Sequence, residues 1–159
     1  MLLHMKDKKL ENRIIQSVLF CCNYNSIRSP MAEGIFKKLI GRSIFVQSAG
    51  VFGTLEVDGF TVKVCDEINV KLSKHRVRSL KEMEKEGGFV GTFDLVIPLT
   101  KEASEEAYKY STFSSVTIED WIVEEPIKNE NDINQTLCSY RKTRDIILNK
   151  INQRFQSFL

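Results

Sequence analysis

The chain has 159 residues, of which 42% are hydrophobic and 28% charged, with a formal net charge of +2. Those values predict one soluble globular domain, and a charge so near neutral argues against nucleic acid or an anionic membrane as partner. No apolar run approaches the roughly 20 residues of a spanning helix, and Met1-Leu2-Leu3 is too short for the apolar region of a signal peptide, so the expected location is the cytoplasm.

Residues 1–13 read as an N-terminal extension, expected to be flexible, and 14–159 as the single domain. Residues 14–21 form a short apolar run of the kind parallel sheets bury. Ser29 can cap a following helix and Pro30 fits its first position. Met31, Ile35, Leu39 and Ile40 recur at helical spacing, and Gly41 closes that helix. Ile44–Val46 predicts a second strand running into Ser48-Ala49-Gly50. A loop holding Gly53 and Gly59 leads to a helix over Phe60–Ile68. Ser79–Lys85 predicts a charged, solvated helix ended by Gly87-Gly88. Phe93–Leu99 reads as a third strand, Lys101–Tyr110 as a polar helix and Val116–Ile118 as a short fourth strand. Ile133, Leu137, Tyr140, Ile147, Ile151, Phe155 and Phe158 then line one face of a long helix within Asp132–Phe158. The alternation predicts an α/β fold: a three-layer, open parallel sheet of four strands with helices on both faces, flavodoxin-like. Ligands of such folds bind beyond the carboxyl ends of the strands, at the topological switch point.

Cys22 sits at that end of the first strand, and Cys22 and Arg28 bracket Asn23-Tyr24-Asn25-Ser26-Ile27. A strand feeding a tight loop that opens a helix aims backbone N–H groups and a helix dipole at one point. An anion held there lies against a cysteine whose thiolate the same field favours, a geometry suited to nucleophilic attack on a phosphoryl group. The four cysteines (Cys21, Cys22, Cys65, Cys138) form no paired CxxC motifs, so no metal site is expected.

Val18 to Glu33 resembles the amino-terminal motif of the low-molecular-weight protein tyrosine phosphatases. Ser48-Ala49-Gly50, the Ile68–Leu80 stretch with His75 and Arg76, the strand Phe93–Ile97 and the acid-proline of Trp121-Ile-Val-Glu-Glu-Pro126 resemble further segments of that family. The resemblance implies a phosphotyrosine phosphatase I-like fold. It implies that Cys22 is the nucleophile and passes through a phosphocysteine intermediate, that Arg28 clamps the phosphoryl oxygens, and that Ser29 donates its hydroxyl to the thiolate. Glu125 would be the general acid, then the base that activates water, with Glu119, Asp120 and Glu124 as neighbouring alternatives. Asn25 shapes the loop by tolerating the left-handed conformation, and Asn23, Tyr24, Ser26 and Ile27 lend mainly backbone N–H groups to the substrate. His75 and Arg76 are expected in supporting polar contacts, Trp121 as the anchor of the acid loop. No cofactor or metal is implied, because the arginine and loop amides do that work. The implied partners are phosphorylated proteins or small aryl phosphates.

The chain departs from the family pattern at several points. Tyr24 stands where a small residue is usual, Glu125 where aspartate is usual, and Ile27 where many members carry a second loop cysteine. Ile127 and Lys128 replace an aromatic pair after Pro126. Asn25-Ser-Ile-Arg-Ser29 also matches the loop of thioredoxin-coupled arsenate reductases on the same fold, an alternative whose chemistry needs further cysteines to relay a disulfide. The segment after Leu99, where such a pair is expected, has none. A phosphate or phosphopeptide binder with negligible turnover is the other alternative.

Overall fold

The computed structural model describes residues 14–159; the expectations for residues 1–13 lie outside the described residues. The elements are β1 (Ser17–Cys22), α1 (Arg28–Ile40), β2 (Phe45–Gly50), α2 (Gly59–Asp66), α3 (Leu80–Lys85), β3 (Leu95–Pro98), α4 (Lys101–Tyr108), β4 (Thr117–Ile118) and α5 (Ile133–Arg154), with short 3-10 turns at Val90–Thr92 and Gln156–Phe158. The four strands form one parallel sheet in the order β2-β1-β3-β4. The chain runs from β1 to one side and then returns to the other, so the switch point lies at the carboxyl end of β1, where Cys22 stands.

Alternation along β1 separates two cores. Val18, Phe20 and Cys22 join the side chains of α1, α2 and α5, including Ile35, Phe36, Val64, Tyr140, Ile147 and Phe155. Leu19 and Cys21 point the other way, into a smaller cluster with Leu80, Met83, Val96, Ala103 and Ala107 from α3, β3 and α4. The central strand is buried on both faces, which is why its sequence is a continuous apolar run rather than an alternating one.

Several boundaries differ from the sequence reading. The first strand begins at Ser17 rather than at residue 14, and Ile14 is exposed. Helix α1 begins at Arg28, one residue before Ser29, with Ile27 at its N-cap position and no side-chain cap; Ser29 is therefore not a cap, because its hydroxyl turns inward to Cys22. The third strand is shorter than Phe93–Leu99, as Val90–Thr92 makes a 3-10 turn before it. Gly41 does close α1, at φ 72°, in the left-handed region that glycine enters without strain.

Gly50, the last residue of β2, lies against the loop that follows β1. A Cβ built there would sit 2.6 Å from the carbonyl carbon of Tyr24 and 2.7 Å from the backbone nitrogen of Asn25. Both obstacles are backbone and cannot rotate away. Glycine lets the strand and the loop pass, and the contact is completed by Val51 N donating to Cys22 O at 2.9 Å and Phe52 N to Asn23 O at 2.7 Å. Gly50→Ala is expected to displace the loop and to cost about 2–3 kcal/mol of stability, read as a lowered thermal midpoint together with loss of inorganic phosphate binding; an unchanged midpoint and unchanged binding would contradict the close approach.

Candidate active site

The loop from Cys22 to Ser29 is built around one asparagine. Asn25 is fully buried and holds φ 55°, a left-handed conformation that asparagine adopts more readily than other residues with a side chain. Its Oδ1 accepts from the backbone N–H of Arg78 at 3.1 Å and faces His75 Nε2 at 3.1 Å. A backbone N–H can only donate, so the amide orientation is set and Nδ2 must face the other way. There it donates to Ser29 Oγ and to Ser48 Oγ, each at 2.8 Å. With a donor already directed at Ser29 Oγ, the Ser29 hydrogen points to Cys22 Sγ, 2.8 Å away. The Ser29 backbone N–H approaches the same sulfur at 3.4 Å. Cys22 is 3% exposed, with the hydroxyl and the backbone N–H of Ser29 as its hydrogen-bond partners.

The second branch of the network ends on an acid. Ser48 Oγ donates to Glu33 Oε1 at 3.2 Å, while Glu33 Oε2 accepts from Lys37 Nζ at 2.9 Å and lies 3.3 Å from His75 Nδ1. Burial pushes the Glu33 carboxyl up, but hydrogen bonds from His75 and Lys37 outweigh it and hold the group below the usual value of 4.5. His75 is therefore a support of the loop, between Glu33 and Asn25. Arg76 is not: it is exposed and pairs with Glu86.

The other loop residues present their backbone. Among the described residues, the N–H groups of Tyr24, Asn25, Ser26 and Ile27 donate to no protein acceptor. The loop is tied on its outer sides instead, through Asp58 N to Ser26 O at 3.0 Å and Thr100 Oγ1 to Asn23 Oδ1 at 2.7 Å. Asp58 and Thr100 also cap α2 and α4, so two helix starts are fixed by the residues that hold the loop. Tyr24 is half-exposed and packs its ring on Phe52, centroids 5.6 Å apart.

Arg28 connects the loop to the acid segment. Leu99 N donates to Cys21 O at 2.8 Å, Val123 N to Leu99 O at 3.0 Å, and Arg28 Nη1 to Val123 O at 2.9 Å. The guanidinium Nε is buried with no hydrogen-bond partner. Trp121 anchors the segment, packed on Phe20 at 6.0 Å and donating Nε1 to Glu119 Oε1 at 3.0 Å. Glu119 also accepts both bonds from Arg154 Nε, at 2.9 and 3.1 Å, and Asp120 accepts from Tyr108 at 3.4 Å. Both are engaged elsewhere. Glu124 and Glu125 remain exposed, and Glu125 lies between buried Val123 and buried Pro126. Ile127 N donates to Ser139 Oγ at 2.7 Å, pinning the far side. The acid loop follows β3 and β4 to the same end of the sheet as Cys22.

Three participants carried no assigned role in the sequence reading: Ser48, Glu33 and the backbone of Arg78. Glu33 had a signal, since it stands among Met31, Ala32, Ile35 and Phe36 on the buried side of α1, where an acid demands partners. Among the described residues, no group of His, Cys, Asp or Glu is arranged to hold a metal ion, and no helix is long and apolar enough to cross a membrane. Because the folded state lowers the Glu33 pKa, its contribution to stability is complete above about 4.5 and is lost as pH falls through the native value. Glu33→Gln is expected to cost about 2 kcal/mol at pH 7, with parent and variant converging on acidification below that range; a difference that stays constant with pH would show that the charge is not what stabilises the network.

Comparisons with known proteins agree with this architecture. The family model for low molecular weight phosphotyrosine protein phosphatase matches residues 17–158. An arsenate reductase of Bacillus subtilis is 27% identical over 91% of this chain and 96% of its own length, and one from Halalkalibacterium halodurans is 28% identical over 89% and 93%. A protein-arginine-phosphatase of Bacillus subtilis is 33% identical over a shorter stretch, 57% of this chain and 50% of that protein. A low molecular weight protein tyrosine phosphatase from T. tengcongensis superposes with a TM-score of 0.68 at 27% identity, over 89% of this chain and 99% of that one. A loop built to present unpaired amides beside a hydrogen-bonded cysteine, on a four-stranded sheet of order β2-β1-β3-β4 and matched by the model from end to end of the described domain, has one home: the chain belongs to the low molecular weight phosphotyrosine protein phosphatase family.

Proposed function

We propose that the protein is a cysteine-dependent phosphatase that hydrolyses aryl phosphate monoesters, phosphotyrosine among them. The observation that carries this reading is the set of unused donors around Cys22: the N–H groups of Tyr24 to Ile27 and the buried Arg28 Nε find no protein acceptor among the described residues. A buried donor without a partner, as Arg28 Nε is, is costly, and a tetrahedral oxyanion would satisfy it together with the loop amides.

Cys22 Sγ attacks phosphorus as the thiolate. The bond from phosphorus to the ester oxygen breaks, and Glu125 gives that oxygen its proton. Arg28 and the loop amides hold the three equatorial oxygens, where charge concentrates in the transition state. Water then attacks the phosphocysteine and gives its proton to Glu125; the phosphorus–sulfur bond breaks, and the thiolate returns to the Ser29 hydroxyl. Glu125 is favoured over Glu119 and Asp120 because those two are held by Arg154 and Tyr108. Tyr24 and Phe52 offer an aromatic surface beside the loop, in place of the aromatic pair missing after Pro126.

Arsenate reduction is the second reading, and the relatives favour it: the arsenate reductases align with about nine-tenths of this chain. Both chemistries begin with the same capture of an oxyanion by Cys22. Reduction then requires a second thiol to attack Sγ, so that the electron pair of the sulfur–arsenic bond passes to arsenic as a disulfide forms. Burial raises the Cys21 thiol far above the usual range, and Cys65 is pushed up by burial to about 12, so both are protonated and poor nucleophiles at neutral pH. Cys138 is exposed on α5. Reduction by this chain therefore needs a thiol other than Cys21 or Cys65: exposed Cys138 or one supplied from outside.

Incubation with p-nitrophenyl phosphate, a reductant and a chelator tests the first reading. Turnover is expected in the parent and none in Cys22→Ser, with Glu125→Gln slower by about a hundredfold or more. Phosphate bound but no hydrolysis by the parent would sink it. Arsenate-dependent oxidation of an added thiol would establish the second. Brief alkylation of the native protein is expected to label Cys22 and Cys138 and to spare Cys21 and Cys65; labelling of Cys65 would reopen an internal relay.

A further inference from the structure

A second cavity lies away from the loop, between the carboxyl-terminal half of α1, the start of β2 and the Arg78 segment. It measures about 610 Å³ and none of the residues from Cys22 to Ser29 lines it. Lys37, Arg42 and Arg78 converge on it, against one carboxylate, Glu33. That carboxylate is already taken up by Lys37, His75 and Ser48. The cationic side is not: Arg42 has no hydrogen-bond or ion-pair partner among the described residues, and Arg78 Nε is buried without an acceptor. Among the described residues the nearest acid to Arg78 is Glu86, 4.0 Å from its Nη1 and also held by Arg76. The remaining wall is Gly41, Gln47 and an apolar group of Ile44, Val46 and Phe45, whose exposed ring stacks on Phe93 at an interplanar angle of 16°.

We infer that this cavity is a second binding site, for an organic anion that joins a carboxylate to a flat aromatic body. Two guanidinium groups suit a planar carboxylate, since their forked donors match its two oxygens. The Phe45 face suits an aromatic ring, and the volume lies within the range of small-molecule pockets. A fully hydrated inorganic ion would leave the apolar wall unused. The site does not depend on the phosphatase reading, because no residue that handles phosphoryl groups contributes to it.

Calorimetric titration of the whole protein with 1-naphthoate, in saturating inorganic phosphate, tests the inference. One equivalent is expected to bind with phosphate present. Arg42→Gln is expected to weaken binding about fivefold, with hydrolysis of p-nitrophenyl phosphate unchanged, and Arg78→Lys, which keeps the charge but loses the fork, is expected to weaken it as well while melting as the parent does. No binding at about 10 mM ligand, displacement of naphthoate by phosphate, or equal affinity in the parent and both variants would each overturn the assignment. Absence of turnover with naphthoate binding intact would count against the phosphatase reading alone.

Discussion

One backbone N–H, that of Arg78, sets the direction of the hydrogen bonds around Cys22. It can only donate, so it fixes the carbonyl oxygen of the Asn25 side chain, and that fixes the amide nitrogen toward Ser29 and Ser48. Ser29 is then left with one place to send its hydrogen, the sulfur of Cys22. The left-handed turn at Asn25 serves the same end, because it carries the loop past Gly50 with its amides facing inward rather than into the protein. Remove that donor and His75 Nε2 is the remaining partner of the Asn25 carbonyl oxygen, so the amide orientation then follows the histidine tautomer.

The sheet supplies the rigidity that this loop lacks. Both edges of the site are sewn to β1 by main-chain bonds: β2 continues into Val51 and Phe52, which bond Cys22 and Asn23, and β3 continues into Leu99, which bonds Cys21. The acid segment is one bond further out, through Val123 to Leu99, and Arg28 closes the circle by bonding Val123. Movement of the arginine and of the acid segment is therefore linked. Glu125 itself stays exposed between buried Val123 and Pro126, so it is positioned by its neighbours and left free to reach the solvent side of the loop.

Two adjacent cysteines show how completely environment decides thiol chemistry. Cys21 and Cys22 differ by one step along β1, and the step sends them to opposite faces. Cys21 enters the apolar cluster with Leu80 and Met83, where burial and the neighbouring Cys22 push its thiol up. Cys22 meets a hydroxyl and a backbone N–H. The same residue type is packed into an apolar cluster on one face and hydrogen-bonded to Ser29 on the other.

The residues alone determined the architecture and the core of the site. An apolar run at 14–21, apolar positions at helical spacing and a regular alternation of strand and helix are local signals, and each element depends on them. Cys22 and Arg28 were legible for the same reason: their spacing within one short loop after a strand leaves little choice of geometry. What the sequence could not supply were relations between distant segments. Ser29 reads as a helix cap until the loop brings it against Cys22, and then its hydroxyl has a better use. Glu33, Ser48 and the pair His75 and Arg78 come from three separate segments and meet only because β2 and the stretch before α3 pack beside the loop. The distinction among Glu119, Asp120 and Glu125 is likewise tertiary, since it rests on Arg154 at the end of α5 and Tyr108 on α4. Local pattern is written along the chain; hydrogen-bond partners are chosen by packing, which no short stretch contains.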